Sequence, residues 1–265
     1  MMSVHAYLSR LQLAPVAVHD KAPAPAERLL RSGAGSADTA PAPAATPIAE
    51  VRAAVNVGSL VSFVDGLDAQ SKDDVLDSLQ LAQRAASGAH DRFAEVQAWY
   101  EKYLEVLNQV GWVTEQFAFV AGQQSEGELR MDQAALAVIM AIATQNQLAI
   151  LKEAVSALES LASTDHTISL FSQMSAREGA GNFQMGAAQQ AANGAVSLAM
   201  GAFHFQSQDQ TSKILFFKRT TKALQIWSAA QRMTFNPASY ADVRAQIREM
   251  LGEQRRQAIA ALKLG

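Results

Sequence analysis

Apolar residues along this chain recur mostly at helical spacing. From Ser71 the run KDDVLDSLQLAQRAA sets Val75, Leu76, Leu79 and Ala82 on one stripe, with Asp73 and Asp74 placed as first-turn acids, so a helix is predicted there. Gly88 interrupts it. The next run, from His90 toward Val120, spaces Phe93, Val96, Tyr100, Tyr103, Leu104, Leu107 and Val110 three and four apart, the clearest amphipathic pattern in the chain. Beyond Gly111, Phe117 and Phe119 partly alternate, as in an extended segment. After a polar turn at 121–130, Asp132 is placed to cap one long helix reaching about Ala162, whose stripe of Leu136, Ile139, Ile150, Leu151, Ala154 and Leu158 admits one polar intruder, Gln147. Residues 48–67 suggest one or two short helices. Pro237 suits the first turn of a last helix, with Tyr240, Val243, Ile247, Met250 and Leu251 turned inward.

Two stretches depart from that rhythm. Gly179–Gln208 contains no Asp, Glu, Lys or Arg, although such residues make up 18% of the chain. A solvated face carries charge, so this run is buried in the protein's own core, against a partner, or in lipid. Its glycines at 179, 186, 194 and 201 stand near whole helical turns apart, which predicts a helix with one glycine-lined face open to a close backbone neighbour. Because glycine costs a helix about 0.8–1 kcal/mol relative to alanine, four of them call for a packing reason. Farther on, Ile214–Phe217 and the alternating stretch around Trp227 predict an antiparallel β-hairpin at about 212–235.

The fold expected from these patterns is mostly α: a multi-helix bundle around a central Gly/Ala-rich helix, with one antiparallel β-hairpin near the C-terminus. Six of the seven prolines fall at or before Pro47, so residues 1–47 read as a disordered Pro/Ala-rich leader and 48–265 as a single helical domain.

Composition then removes several classes of function. A formal charge of −3 and a pI near 6.0 supply no field for nucleic acid or anionic lipid. The absence of cysteine excludes disulfides, a thiolate nucleophile and Cys-ligated zinc. His5, His19, His90, His166 and His204 are scattered, with no HxxxH or HExxH, and no G-x-S-x-G occurs. The sequence GAGNFQ at 179–184 begins like a dinucleotide fingerprint but lacks its third glycine and a βαβ setting. Lys213, Lys218, Arg219 and Lys222 cluster around the expected hairpin, among Phe216, Phe217 and Trp227. No enzyme, cofactor or metal is expected.

Neither uncharged stretch is a standing membrane span, since Thr144–Gln147 interrupts one and Gln184, Gln189, Gln190 and Asn193 the other. A segment buried in a soluble form and exposed later remains. The layout of Pro/Ala-rich leader, long amphipathic helices and weakly apolar Gly/Ala/Ser/Gln segment resembles secreted α-helical pore-forming toxins and type III secretion translocators. No family motif matches residue by residue, so no positions are carried over. The function expected is a non-enzymatic, membrane-active or toxin-like protein, cytoplasmic before export and then secreted without a cleavable signal, with cytoplasmic residence as the alternative. It would meet membrane lipid or a second copy through Gly186, Gly194, Gly201, Phe203, Phe205, Phe216, Phe217 and Trp227. The alternative is an assembly subunit that self-associates through helix packing.

Overall fold

In a computed structural model, which describes residues 2–16, 47–122, 128–129, 131–162, 165–177, 179–207, 219–220 and 224–264, the uncharged run is two long strands and not a helix. The chain passes through α1 (Val4–Leu8), β1 (Ala53–Asn56), β2 (Ser59–Phe63), α2 (Ala69–Ala89), α3 (Val96–Gln109), β3 (Trp112–Val113), β4 (Val120–Ala121), β5 (Glu128–Leu129), α4 (Met131–Met140), α5 (Gln145–Ser160) and α6 (His166–Ser175). It continues through β6 (Ala176–Arg177), β7 (Ala180–Gln190), β8 (Val196–Ser207), β9 (Arg219–Thr220), β10 (Leu224–Phe235), α7 (Pro237–Ala241), α8 (Arg244–Leu251), α9 (Gln254–Gln257) and β11 (Ile259–Leu262).

The bundle expectation is therefore corrected. A nine-stranded mixed sheet runs β11-β1-β2-β7-β8-β10-β3, with β6 added beside β7 and β4 beside β10. Only β2–β7 is parallel; the other pairings are antiparallel. Helices cover both faces. Val196, Leu198, Met200 and Ala202 of β8 pack toward α2, α3, α7 and α8, while Ala199, Phe203 and Phe205 pack toward α4, α5 and α6. A strand buried on both faces has no solvated side on which to place a charge, which accounts for the uncharged run.

The glycines acquire different reasons. Gly194 sits in the β7–β8 turn at φ +82°, where glycine bears no steric penalty. Gly181 lies against the ring of its cross-strand partner Phe205, and Gly201 against the ring of Phe203, so each glycine is a seat for an aromatic ring. The near-helical spacing is coincidental.

Three further expectations change. The hairpin at 212–235 is replaced by β10, which pairs along its whole length with β8, while Arg219–Thr220 pairs with Glu128–Leu129; residues 208–218 lie outside the described residues. The long helix at 132–162 breaks before Thr144, whose side chain caps α5 in a reciprocal capping box with Gln147. Gln147, fully buried, also donates to the carbonyls of Ala187 and Ser197 at 2.9 and 3.1 Å, fastening α5 to both strands of the hairpin. The last segment ends in a strand, β11, paired to β1.

Within the stretch read as a leader, residues 2–16 carry α1, bury Leu8, and hydrogen-bond Ala14 to the Arg84 carbonyl. On α2, Asp68 is the N-cap, so Asp73 and Asp74 lie a turn deeper than a first-turn role would put them. Buried Asp74 and Asp77 meet Arg244 and Arg255, and Arg248 bridges Asp73 and Asp77. This clasp binds the C-terminal helices to α2.

A Cβ at Gly186 would stand 2.8 Å from the Ala199 carbonyl oxygen. Gly186→Ala should therefore destabilise the protein by about 1–3 kcal/mol in urea unfolding.

Candidate functional site

The residues singled out in the sequence do not form one site. Gly201, Phe203 and Phe205 gather on the α4–α6 side, where Phe203 stacks on Phe183 at 5.0 Å and all are buried. Gly186 is interior to β7, and Gly194 is at the hairpin turn. Trp227 stands apart on the opposite face of β10, half-buried. Phe216 and Phe217 lie outside the described residues.

Trp227 belongs to a cleft of about 620 Å³ at the end of the three long strands. Its floor is His204 and Gln206 of β8 with Gln225 and Trp227 of β10. One wall is α3, with Val96, Gln97, Tyr100, Glu101 and Leu104, preceded by Phe93 and Ala94; the other is Gln116, Phe117 and Phe119. The walls meet through aromatic contacts, Tyr100 lying 5.2 Å from Phe117 and 5.0 Å from Phe119 between ring centroids. Such a volume with apolar walls and a few polar groups is the usual form of a small-molecule site.

His204 is the titratable group of the floor. It is 7% exposed, faces Trp227 across the β8–β10 register, and stacks on that ring at 5.3 Å. Burial holds its pKa below the ordinary value, with the Gly181 carbonyl opposing. In the neutral ring, Nδ1–H donates to the Gly181 oxygen at 3.0 Å, which leaves Nε2 as an acceptor.

Behind Tyr100 the interior turns polar. The Tyr100 hydroxyl donates to Asn182 Oδ1 at 2.7 Å, and Asn182 Nδ2 donates to the Arg92 carbonyl at 2.7 Å. Arg92 returns Nη2–H to the Asn182 carbonyl at 3.0 Å. Its guanidinium stacks over Trp99 at 4.7 Å and presses on Gly58, where a Cβ would come within 2.7 Å of both terminal nitrogens. Gly58 closes the β1–β2 hairpin beside Val57, which holds φ +55°, a strained value for a β-branched residue. The tip is fixed by Gln83 Oε1 on the Gly58 amide and by the Gln184 amide on the Gly58 carbonyl. No carboxylate pairs with Arg92 among the described residues, and burial pushes its pKa down to about 10.

Sequence reading missed both features. Arg92 stands in no motif. The alternation of Phe117 and Phe119 did show an extended segment, but not that it walls a cleft against α3. Among the described residues no group of His, Asp or Glu is arranged to hold a metal ion. No helix among them is long and apolar enough to cross a membrane.

No family model and no curated protein matches the chain. Among solved structures, a delta-endotoxin is similar at 12% identity over 68% of this chain and 81% of that one, with a TM-score of 0.35. The Evf virulence factor is similar at 12% identity over 78% and 84%, with a TM-score of 0.30. Scores of this size fall short of a shared fold, so neither name passes to this chain.

Because folding lowers the His204 pKa, the unfolded chain takes up that proton first as pH falls. Wild-type protein should lose stability relative to His204→Gln as pH falls through about 6.5, the unfolded imidazole's value, in paired urea titrations, with a constant difference at higher pH. A difference that does not change with pH would contradict the neutral, buried imidazole.

Proposed function

We propose that the protein is a non-enzymatic, secreted, membrane-active protein of toxin-like character, released in soluble form and engaging the bilayer through β7, β8 and β10. The observation that supports this most is the combination of strand length and charge. These strands hold 11, 12 and 12 residues, against the roughly 9–11 that a tilted strand needs to cross a bilayer. Neither face of β7 or β8 carries a charged residue.

The covering layer also suits the reading. Helices α4, α5 and α6 form one sequence-continuous block, 131–175, that meets the sheet mainly through apolar side chains. Its polar ties to the long strands include Gln147 on the Ala187 and Ser197 carbonyls, Thr144 with Gln189, and Arg232 on the Ile142 carbonyl. An open sheet leaves unpaired edge groups in lipid, so insertion would have to close the sheet with further copies. Self-association thus becomes a consequence of membrane engagement, through strand edges and not through a helix face.

Dye release from liposomes tests the proposal. Leakage should accompany oligomer formation, and a disulfide engineered between α5 and β7, in a chain without native cysteine, should suppress it until reduced. A monomeric protein that releases no dye at any pH or lipid composition would refute membrane activity.

A further inference from the structure

Arg92 is a buried cation without a counter-charge among the described residues. It is 6% exposed, and no acid among the described residues forms an ion pair with it. Asp91, its neighbour in sequence, is taken by Arg177 at 2.9 Å. Burying an ion unpaired costs several kcal/mol, a cost a fold avoids unless something compensates it. The donors nearby are also unused. Arg92 Nε and Nη1 and the Tyr103 hydroxyl are buried without hydrogen-bond partners, and Gln184 Nε2 approaches the Tyr100 hydroxyl without closing a hydrogen bond. Tyr103 and Tyr100 both lie close enough to Arg92 to act on its charge. Unsatisfied buried groups are rare in folded proteins, and several donors around one cation ask for an acceptor carrying negative charge.

We propose that Arg92, Tyr103 and Gln184 form a binding site for a monoanion of the carboxylate class. One guanidinium balances one charge. A sulfate or phosphate dianion would bring a second charge and further oxygens than this donor set serves. The surrounding rings of Trp99 and Tyr100 tolerate an apolar remainder, and Tyr100 is shared with the aromatic cleft. The ligand is thus either a small free carboxylate or the head of an apolar acid whose body lies along the cleft. The site does not depend on membrane activity.

Thermal unfolding of the full chain in sodium acetate, sodium hexanoate and sodium sulfate at equal ionic strength tests this. Acetate and hexanoate raising Tm alike identifies the free anion, and hexanoate alone raising it identifies the apolar acid; either supports the site. Tyr103→Phe removes a hydroxyl that has no partner without ligand, so it should not lower the unliganded Tm and should weaken carboxylate binding about tenfold. Arg92→Met should abolish the response. No carboxylate response, a sulfate response as large, or an unweakened response in Tyr103→Phe overturns the proposal, and the last holds even if Arg92→Met fails to fold.

Discussion

The structure depends on one constraint: its longest strands are covered on both faces. A residue of β7 or β8 points into one helical layer or the other, so apolar and small side chains, with a few amides, fill both strands. Glycine enters where a ring must lie flat on the backbone, as Phe205 does on Gly181 and Phe203 on Gly201. The two amides of β7 that face α3 differ in how far they are answered, Gln184 keeping Nε2 unused. Asn182 exchanges hydrogen bonds with Arg92 and Tyr100, and Gln184 accepts from Ser59 at 2.6 Å.

Charge excluded from the sheet collects in the layer above it, where it is met in more than one way: Arg84 is satisfied by the Ala14 and Leu251 carbonyls and by Gln254 Oε1. On α2, Asp74 and Asp77 are paired with Arg244 and Arg255, so each buried carboxylate has its cation and the C-terminal helices are bound in place. Arg92 has no such partner among the described residues and rests on Trp99 and Gly58. The contrast separates a structural use of buried charge from one that invites a ligand. The aromatic cleft opens beside the second, where the ends of β8 and β10 run out from under α3.

Much of the helical part was legible in the sequence. The stripes through Leu76 and Leu79 and through Tyr100, Tyr103 and Leu107 mark α2 and α3, whose inner faces are buried as expected. The sheet was not, because a strand buried on both sides loses the alternation that announces a strand, and glycine spacing offered a helical period in its place. Two local signals pointed the other way. Asn193-Gly194 is a strong hairpin turn, and Thr144-x-x-Gln147 is a capping box inside a supposed continuous helix. The cleft and the Arg92 cluster were invisible, since the cleft alone draws on four separate stretches of chain and the cluster adds Gly58 and the start of β7.

The uncharged run is the central, doubly covered hairpin of the sheet. Amide hydrogen exchange followed residue by residue tests this most directly. Protection at β7 and β8 should be the highest in the chain and should not follow a helical period, because the two strands pair with each other along 180–190 and lie between β2 and β10. Rapid exchange across 180–190 and 196–206, or helical carbon shifts there, would contradict it.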